Sequence, residues 1–195
     1  MNLKILVITG TVRENRLSRK IAEWYISEAR KIRPEVDFEM LDIHDLALPL
    51  FNEPIAPEIA SGQYSKIQQN LADKIASADG YVFVTAEYNY SVPGSLKNFL
   101  DYLSSREWSH KAAAYVGYGA TGAIRAIEHL VQIMSRMRVM SIASTVNIDT
   151  VWQALDEQGA PKPEYIAGDV QEQLDELISW VQPLKAHREK TSMAI

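Results

Sequence analysis

Leu3-Lys4-Ile5-Leu6-Val7-Ile8-Thr9-Gly10-Thr11-Val12-Arg13-Glu14-Asn15-Arg16-Leu17-Ser18 passes from a continuous apolar run into a glycine, hydroxyls and two arginines. Leu3 to Thr9 has the length and β-branched content of a strand buried on both faces, as in parallel sheets. After the loop, Leu17, Ile21, Trp24, Tyr25, Ala29 and Ile32 recur at helical spacing, so a helix is expected from about Ser18 to Arg33, ended by Pro34. Strand, polar loop and helix in that order open a βα unit.

The same alternation recurs along the chain and predicts five such units. A second strand at about Asp37 to Ile43 leads through Leu48-Pro49-Leu50-Phe51-Asn52-Glu53-Pro54 to a helix at about Tyr64 to Ser77. A third strand, Tyr81 to Thr85, runs into a tyrosine-rich loop, and Pro93 opens a helix with Leu96, Phe99, Leu100 and Leu103 on its core face. The fourth strand, Ala112 to Val116, precedes a glycine-rich turn and a helix carrying Ile124, Ile127, Val131 and Met134. A fifth strand at about Val139 to Val146 is followed by a polar connection and a last helix, where Asp169 and Glu172 have capping-box spacing. The expected architecture is α/β, a five-stranded parallel sheet in the order 2-1-3-4-5 between two helical layers. The chain reads as one domain over residues 1–195, with a frayed tail after about His187.

Composition narrows the function classes. A chain of 195 residues, 47% hydrophobic, suits a single folded core. It contains no cysteine, which excludes disulfides, thiolate nucleophiles and cysteine-held metals. Its net charge of −5 opposes a nucleic-acid partner, and any bound anion needs a local basic cluster. The apolar run at residues 5–8 is too short for a signal peptide and no stretch has membrane-span length, so a cytoplasmic location is expected.

Ligands of open parallel sheets bind beyond the carboxyl ends of the strands, where strand order reverses. The unusual loops follow strands one, three and four, which are neighbours in the expected order. In the first, a helix start, the hydroxyls of Thr11 and Ser18 and the guanidinium of Arg13 suit a phosphate monoester, with Arg16 a weaker candidate. The plainer alternative is a tight turn with a serine cap and solvated arginines. In the second, Glu87-Tyr88-Asn89-Tyr90-Ser91 offers flat apolar surface and edge hydrogen bonds to a planar heterocycle, although such loops also serve subunit contacts. The third, Gly117-Tyr118-Gly119-Ala120-Thr121-Gly122, matches the dinucleotide fingerprint G-x-G-x-x-G, but it sits in the fourth unit and lacks the later ribose-binding acid. It reads as a close-approach turn beside a ring. The histidines, His44, His110, His129 and His187, have no metal-ligand spacing, and no nucleophile elbow surrounds Ser95. No side chain presents itself as acid, base or nucleophile, which leaves the chemistry to a cofactor.

These motifs together resemble the NADPH-dependent FMN reductase family. Gly10, Thr11, Arg13, Arg16 and Ser18 match its G-S/T-x-R-x-x-R-x-S loop. Glu87, Tyr88, Asn89, Ser91, Pro93, Gly94, Leu96, Lys97 and Asn98 match P-E-Y-N-x-S-x-P-G-x-L-K-N, with Ala86 in place of the first proline. Tyr118, Gly119 and Gly122 match its Y-G-x-x-G turn, with Ala123 where a second glycine is common and Arg125 following. The resemblance implies a flavodoxin-like fold and FMN bound by Thr11, Arg13, Arg16, Ser18, Glu87, Tyr88, Asn89, Ser91, Tyr118, Gly119 and Gly122. It also implies hydride transfer from NADPH or NADH to FMN and on to a quinone, free flavin, azo compound or metal oxyanion. A homodimer or homotetramer is implied too, with the Leu48–Glu53 stretch at the subunit contact. An electron carrier without NAD(P)H oxidation and a flavin-free interaction module are the alternatives.

Overall fold

In the computed structural model, residues 3–60 and 63–191 are described. The opening run forms β1 (Leu3–Thr9), flanked in parallel by β2 (Val36–Asp42) and β3 (Gly80–Ala86). β3 pairs with β4 (Ala112–Tyr118), and β4 with β5 (Met140–Ile148). The order β2-β1-β3-β4-β5 is the expected one, and a sixth, two-residue strand, β6 (Ile166–Ala167), adds antiparallel to β5. Sequence periodicity carries no signal for a strand of two residues.

The alternating side chains of the strands divide the core between two faces. Ile5, Val7, Val82, Val84, Ala114 and Val116 pack against α1 (Ser18–Ile32) and α8 (Val170–Thr191). Leu6, Ile8, Tyr81, Phe83 and Tyr115 face the second layer. That layer is built from α2 (Pro57–Ala60), α3 (Lys66–Ala76), α4 (Gly94–Asp101), α5 (Ser105–Trp108) and α6 (Ile124–Arg136). α5, too short to read from its period, delivers the fully buried Trp108 to within 5.0 Å of the Tyr81 ring and 5.9 Å of the Phe99 ring. A one-turn helix, α7 (Val151–Ala154), and a 3-10 turn, Pro163–Tyr165, interrupt the polar connection before β6.

The last helix is longer than its sequence suggests. Asp169 caps it by accepting from the Glu172 N–H at 2.8 Å, and it continues past His187 to Thr191. Arg188, placed in the expected frayed tail, donates to Asp79 at 3.0 Å and to the His110 carbonyl at 2.6 Å. Residues 192–195 of that tail lie outside the described residues. None of the helices among the described residues is long and apolar enough to cross a membrane.

At the amino ends of the strands, Lys111 is buried, and its ammonium donates to the carbonyls of Ile75 at 2.7 Å, Ala76 at 3.1 Å and Glu107 at 3.2 Å. These carbonyls belong to the last turns of α3 and α5, where helix C-termini leave acceptors unpaired. Burial, with Arg188 nearby, pulls this lysine down to about 7. His110 and His187 bring their rings to 5.8 Å at the same end, yet no group of metal-holding composition occurs among the described residues.

Candidate cofactor site at the carboxyl edge of the sheet

The three loops singled out in the sequence meet beyond β1, β3 and β4. The first begins with Gly10, whose N–H reaches the Val84 carbonyl at 2.8 Å and whose carbonyl accepts from Ser95 Oγ at 3.0 Å. A Cβ at Gly10 would lie 3.2 Å from Leu96 Cδ2 and from Thr85 Oγ1, so a side chain here would require these neighbours to give by a few tenths of an ångström. Thr11 follows, buried, with its hydroxyl 2.7 Å from Ser18 Oγ and 3.3 Å from Tyr118 Oη. Burial pushes the Tyr118 phenol up to about 12, so it remains a neutral hydroxyl at neutral pH.

Ser18 does not cap α1. Leu17 stands at the N-cap, without any side-chain bond to the helix, and Ser18 is the first helical residue. The positive end of α1 therefore lacks a capping bond from its N-cap residue, and the Tyr118 hydroxyl stands near the Ser18 N–H. Arg13 is exposed, has no carboxylate partner among the described residues, and holds its guanidinium 5.9 Å from the Tyr88 ring centroid. Arg16 behaves differently: its Nη2 donates to Asp42 Oδ2 at 2.6 Å, its side chain is 13% exposed, and its buried Nε has no partner.

The second loop is a tight reversal. Asn89 and Tyr90 both have positive φ, 49° and 69°, and Tyr88 and Ser91 exchange backbone hydrogen bonds of 2.9 and 3.1 Å across them. Ser91 Oγ lies 2.9 Å from His129 Nδ1. Ala86, standing where the resembling motif has proline, is held as the last rung of the β3–β4 ladder opposite Tyr118. Glu87 accepts from Arg125 Nε at 2.7 Å, from its Nη2, and from its backbone N–H at 3.2 Å. The same guanidinium lies 4.0 Å from the centroid of Tyr90, so Arg125 clamps the second loop to the third.

That contact decides the reading of the glycine-rich turn. Arg125 is in the first turn of α6, so the Glu87 carboxylate already fills the anion position at that helix start. A dinucleotide pyrophosphate has no vacant N-terminus there, whereas α1 offers one. The glycines serve packing instead: a Cβ on Gly117 would fall 2.1 Å from the Gly122 carbonyl oxygen, and one on Gly122, at φ +64°, 2.7 Å from Asn147 Cβ. Ala123 follows in the left-handed region at φ 58°.

A cavity of about 320 Å³ lies among the three loops, lined by Arg13, Arg16, Ala86, Tyr88, Tyr118 and Gly119 together with Val151 of α7. A second, of about 350 Å³, lies across Val12, walled by Ile43, Leu48, Leu50 and Ser95. A larger one, about 550 Å³, runs between α1 and the edge strand β2 and contains none of the three loops. A groove along a sheet flank has only ordinary surface side chains, so the smaller cavity at the strand ends is the better site.

Of the residues selected from sequence, Thr11, Ser18 and Tyr118 form one buried hydroxyl cluster, of which Tyr118 lines the cavity together with Arg13, Tyr88 and Gly119. Arg16 borders it with its charge paired to Asp42; Glu87 is engaged by Arg125 and Ser91 by His129. Asn89 shapes the reversal and Gly122 abuts Asn147. Sequence reasoning missed Asp42 and Val151. The available signal for Asp42 was an acid at the carboxyl end of the strand beside the arginine loop.

A donor set of hydroxyls, an open helix N-terminus and a guanidinium without an acid partner fits a phosphate, and the adjacent aromatic loop fits a flat ring. The sequence profile described as NADPH-dependent FMN reductase matches residues 3–153. An NAD(P)H-dependent FMN reductase of Schizosaccharomyces pombe is 36% identical over 161 residues, 82% of this chain and 79% of that protein. A 2-hydroxy-1,4-benzoquinone reductase of a Burkholderia species is 33% identical over 136 residues, 67% of this chain and 69% of that protein. Among solved structures, the flavoenzyme NAD(P)H:(acceptor) oxidoreductase FerB of Paracoccus denitrificans superposes with a TM-score of 0.71 at 22% identity, covering 93% of this chain and 98% of that one, which speaks for the fold. By fold, loop chemistry and sequence, the chain belongs to the NADPH-dependent FMN reductase family.

Proposed function

We propose that this protein oxidises NAD(P)H with FMN held in the cavity between the three loops, and delivers the electrons to a quinone-type acceptor. Thr11 and Ser18, the open N-terminus of α1 and Arg13 would hold the phosphate. The Tyr88–Ser91 reversal and the backbone around Gly119 would border the ring. When bound, FMN supplies the capacity to accept a hydride and pass electrons on. The chain's part is to position and to exclude competing geometry: the Arg125–Glu87 pair fixes the second loop against the third, and Tyr118 keeps its proton while orienting Thr11.

The observation that carries this reading is the contrast between two helix starts, α6 closed by Glu87 and α1 left open beside Arg13. Quinone acceptors are favoured because the Burkholderia relative bears that activity in its name. The test is FMN titration followed by steady-state oxidation of NADH and NADPH with a benzoquinone. Turnover well above the free-flavin rate is expected. Flavin binding without turnover would mean an electron carrier, and no flavin binding would leave an interaction module.

The proposal includes a homo-oligomer, dimer or tetramer, since Leu50, Ile55 and Ile59 beside the second cavity's loop are exposed at 82%, 48% and 75%. Phe51 packs on its own chain, 5.2 Å from the Tyr102 ring, and does not add to that surface. Light scattering at low micromolar concentration tests it, and a single 22.0 kDa species would refute it. The proposal also includes a cytoplasmic location, where NAD(P)H is supplied, to be checked by cell fractionation.

A further inference from the structure

Residues 10–17, between β1 and α1, contain no regular structure, yet the proposed phosphate site depends on their shape. Their two ends are tied to one side chain. At the start, Thr9 pairs in register with Asp42 across β1 and β2, and its hydroxyl donates to Asp42 Oδ1 at 2.7 Å. At the other end, Arg16 Nη2 donates to Asp42 Oδ2 at 2.6 Å, and Arg19, in the first turn of α1, reaches the same oxygen at 3.5 Å. The His44 N–H adds a fourth donor, to Oδ1 at 3.1 Å. The carboxylate is 3% exposed, and a charge so buried persists where its oxygens are filled with donors.

The link from Asp42 to the cofactor loop runs through one turn. The Arg16 N–H donates to the Arg13 carbonyl at 3.2 Å, with Asn15 between them at φ 57°. Holding the Arg16 side chain therefore holds the turn that presents Arg13. Arg16 spends its charge on Asp42, and its exposure of 13% contrasts with the exposed Arg13.

From this geometry we infer that Asp42 is a positioning residue for the cofactor phosphate, acting through Arg16, and that Arg16 is a strut and not a phosphate ligand. The inference rests on the reading of the first loop as the phosphate site. It makes a prediction opposite in sign to simple electrostatics. Removing a negative charge beside an anion site should tighten anion binding by Coulomb's law. If Asp42 positions the loop, removing its charge loosens the turn and weakens binding.

The test is fluorescence titration of the full chain, freed of flavin, with FMN and with riboflavin, which lacks the phosphate. Asp42→Asn and Arg16→Gln should each weaken FMN about tenfold while changing riboflavin less than about twofold. The double variant should bind FMN no worse than the weaker single one, because both substitutions cut the same strut. Asp42→Glu, which keeps the charge but moves the carboxylate, should not restore affinity. FMN binding that is unchanged or tighter in Asp42→Asn overturns the inference, as does an equal loss of riboflavin or losses that multiply in the double variant. Should Asp42→Asn fail to fold, Arg16→Gln and Arg16→Lys carry the same comparison from a loop position. A parent protein that binds neither flavin sinks the functional proposal and this inference together; a parent that binds FMN beside variants that match it sinks this inference alone.

Discussion

Replacing Arg13 with alanine separates the cofactor's phosphate from its ring. Arg13 is exposed, and its guanidinium lies 5.9 Å from the Tyr88 ring centroid, near the limit for a cation–π interaction. Losing that contact costs the fold about 0.5 kcal/mol, a melting shift of roughly 1–2 °C for a chain of this size. Toward a phosphate the same guanidinium makes a charge-assisted hydrogen bond worth about 1.5–3 kcal/mol, so FMN affinity should fall about ten- to a hundredfold. Thr11, Ser18 and the open end of α1 remain, which is why binding weakens without disappearing. The assay is fluorescence titration with FMN and riboflavin, paired with a circular-dichroism melt. The variant should be folded and pale after purification, should bind riboflavin nearly as the parent does, and should recover much of its activity in excess FMN. FMN affinity equal to the parent's, or an equal loss of riboflavin, would show that the phosphate does not sit at this loop.

Gly117→Ala places a Cβ 2.1 Å from the Gly122 carbonyl oxygen, a backbone atom that cannot step aside, and should destabilise the fold by about 3 kcal/mol, read by thermal melting. Gly94→Ala, with nothing within 4 Å of its new Cβ, is the matched control and should be close to neutral. Arg125→Ala leaves Glu87, 11% exposed, with the backbone N–H of residue 125 alone, and should lower the melting temperature with faster amide exchange at Asn89 and Tyr90. Lys111 gives a pH dependence of known sign. Between about pH 7, where the buried ammonium loses its proton, and the ordinary lysine value of 10.5, the unfolded chain binds a proton that the folded chain has shed. Stability contributed through this group therefore rises with pH across that window, by at most about 1.4 kcal/mol per unit, and Lys111→Met should remove that slope in denaturant melts compared between pH 7 and 9.

Strand order and the meeting of three loops at one edge were readable because both follow from local pattern plus a strong topological rule. Leu3–Thr9 has no other reasonable reading, and right-handed crossovers bring the loops after β1, β3 and β4 together. Pairings between distant residues were not readable. Glu87 and Arg125 lie 38 residues apart, and Arg16 and Asp42 lie 26 apart; each side chain seen alone fits an exposed loop or a ligand equally well. Asp42 ends a strand, where an acid ordinarily meets solvent, and only the register that sets it beside Thr9 shows that it is buried. Trp108 stayed hidden for another reason: four residues of α5 make barely one turn, too few for periodicity, although its indole fills the centre of an aromatic cluster. The helix start at Ser18 was readable, and the serine-cap alternative falls because the Ser18 hydroxyl meets Thr11 across the loop instead of the helix.

The short β6 determines how the molecule can meet its neighbours. A parallel sheet of five strands would present β5 as a row of unpaired amides, a template on which another chain could add a strand. Ile166 and Ala167 cover Ile148 and Asn147 there, and Gly168, at φ +89°, lets the chain turn away against β5 where a Cβ would lie 2.0 Å from the Thr145 carbonyl oxygen. The opposite margin, β2, is guarded by charge: Arg30 donates to the Phe38 carbonyl at 2.8 Å, and Glu39 is bound by Lys4 and Lys74. With two residues of one margin thatched and the other charged, growth by strand addition into fibrils is disfavoured at both ends. The proposed self-association would then use the loop and helix surfaces, where an assembly can close on itself and stop.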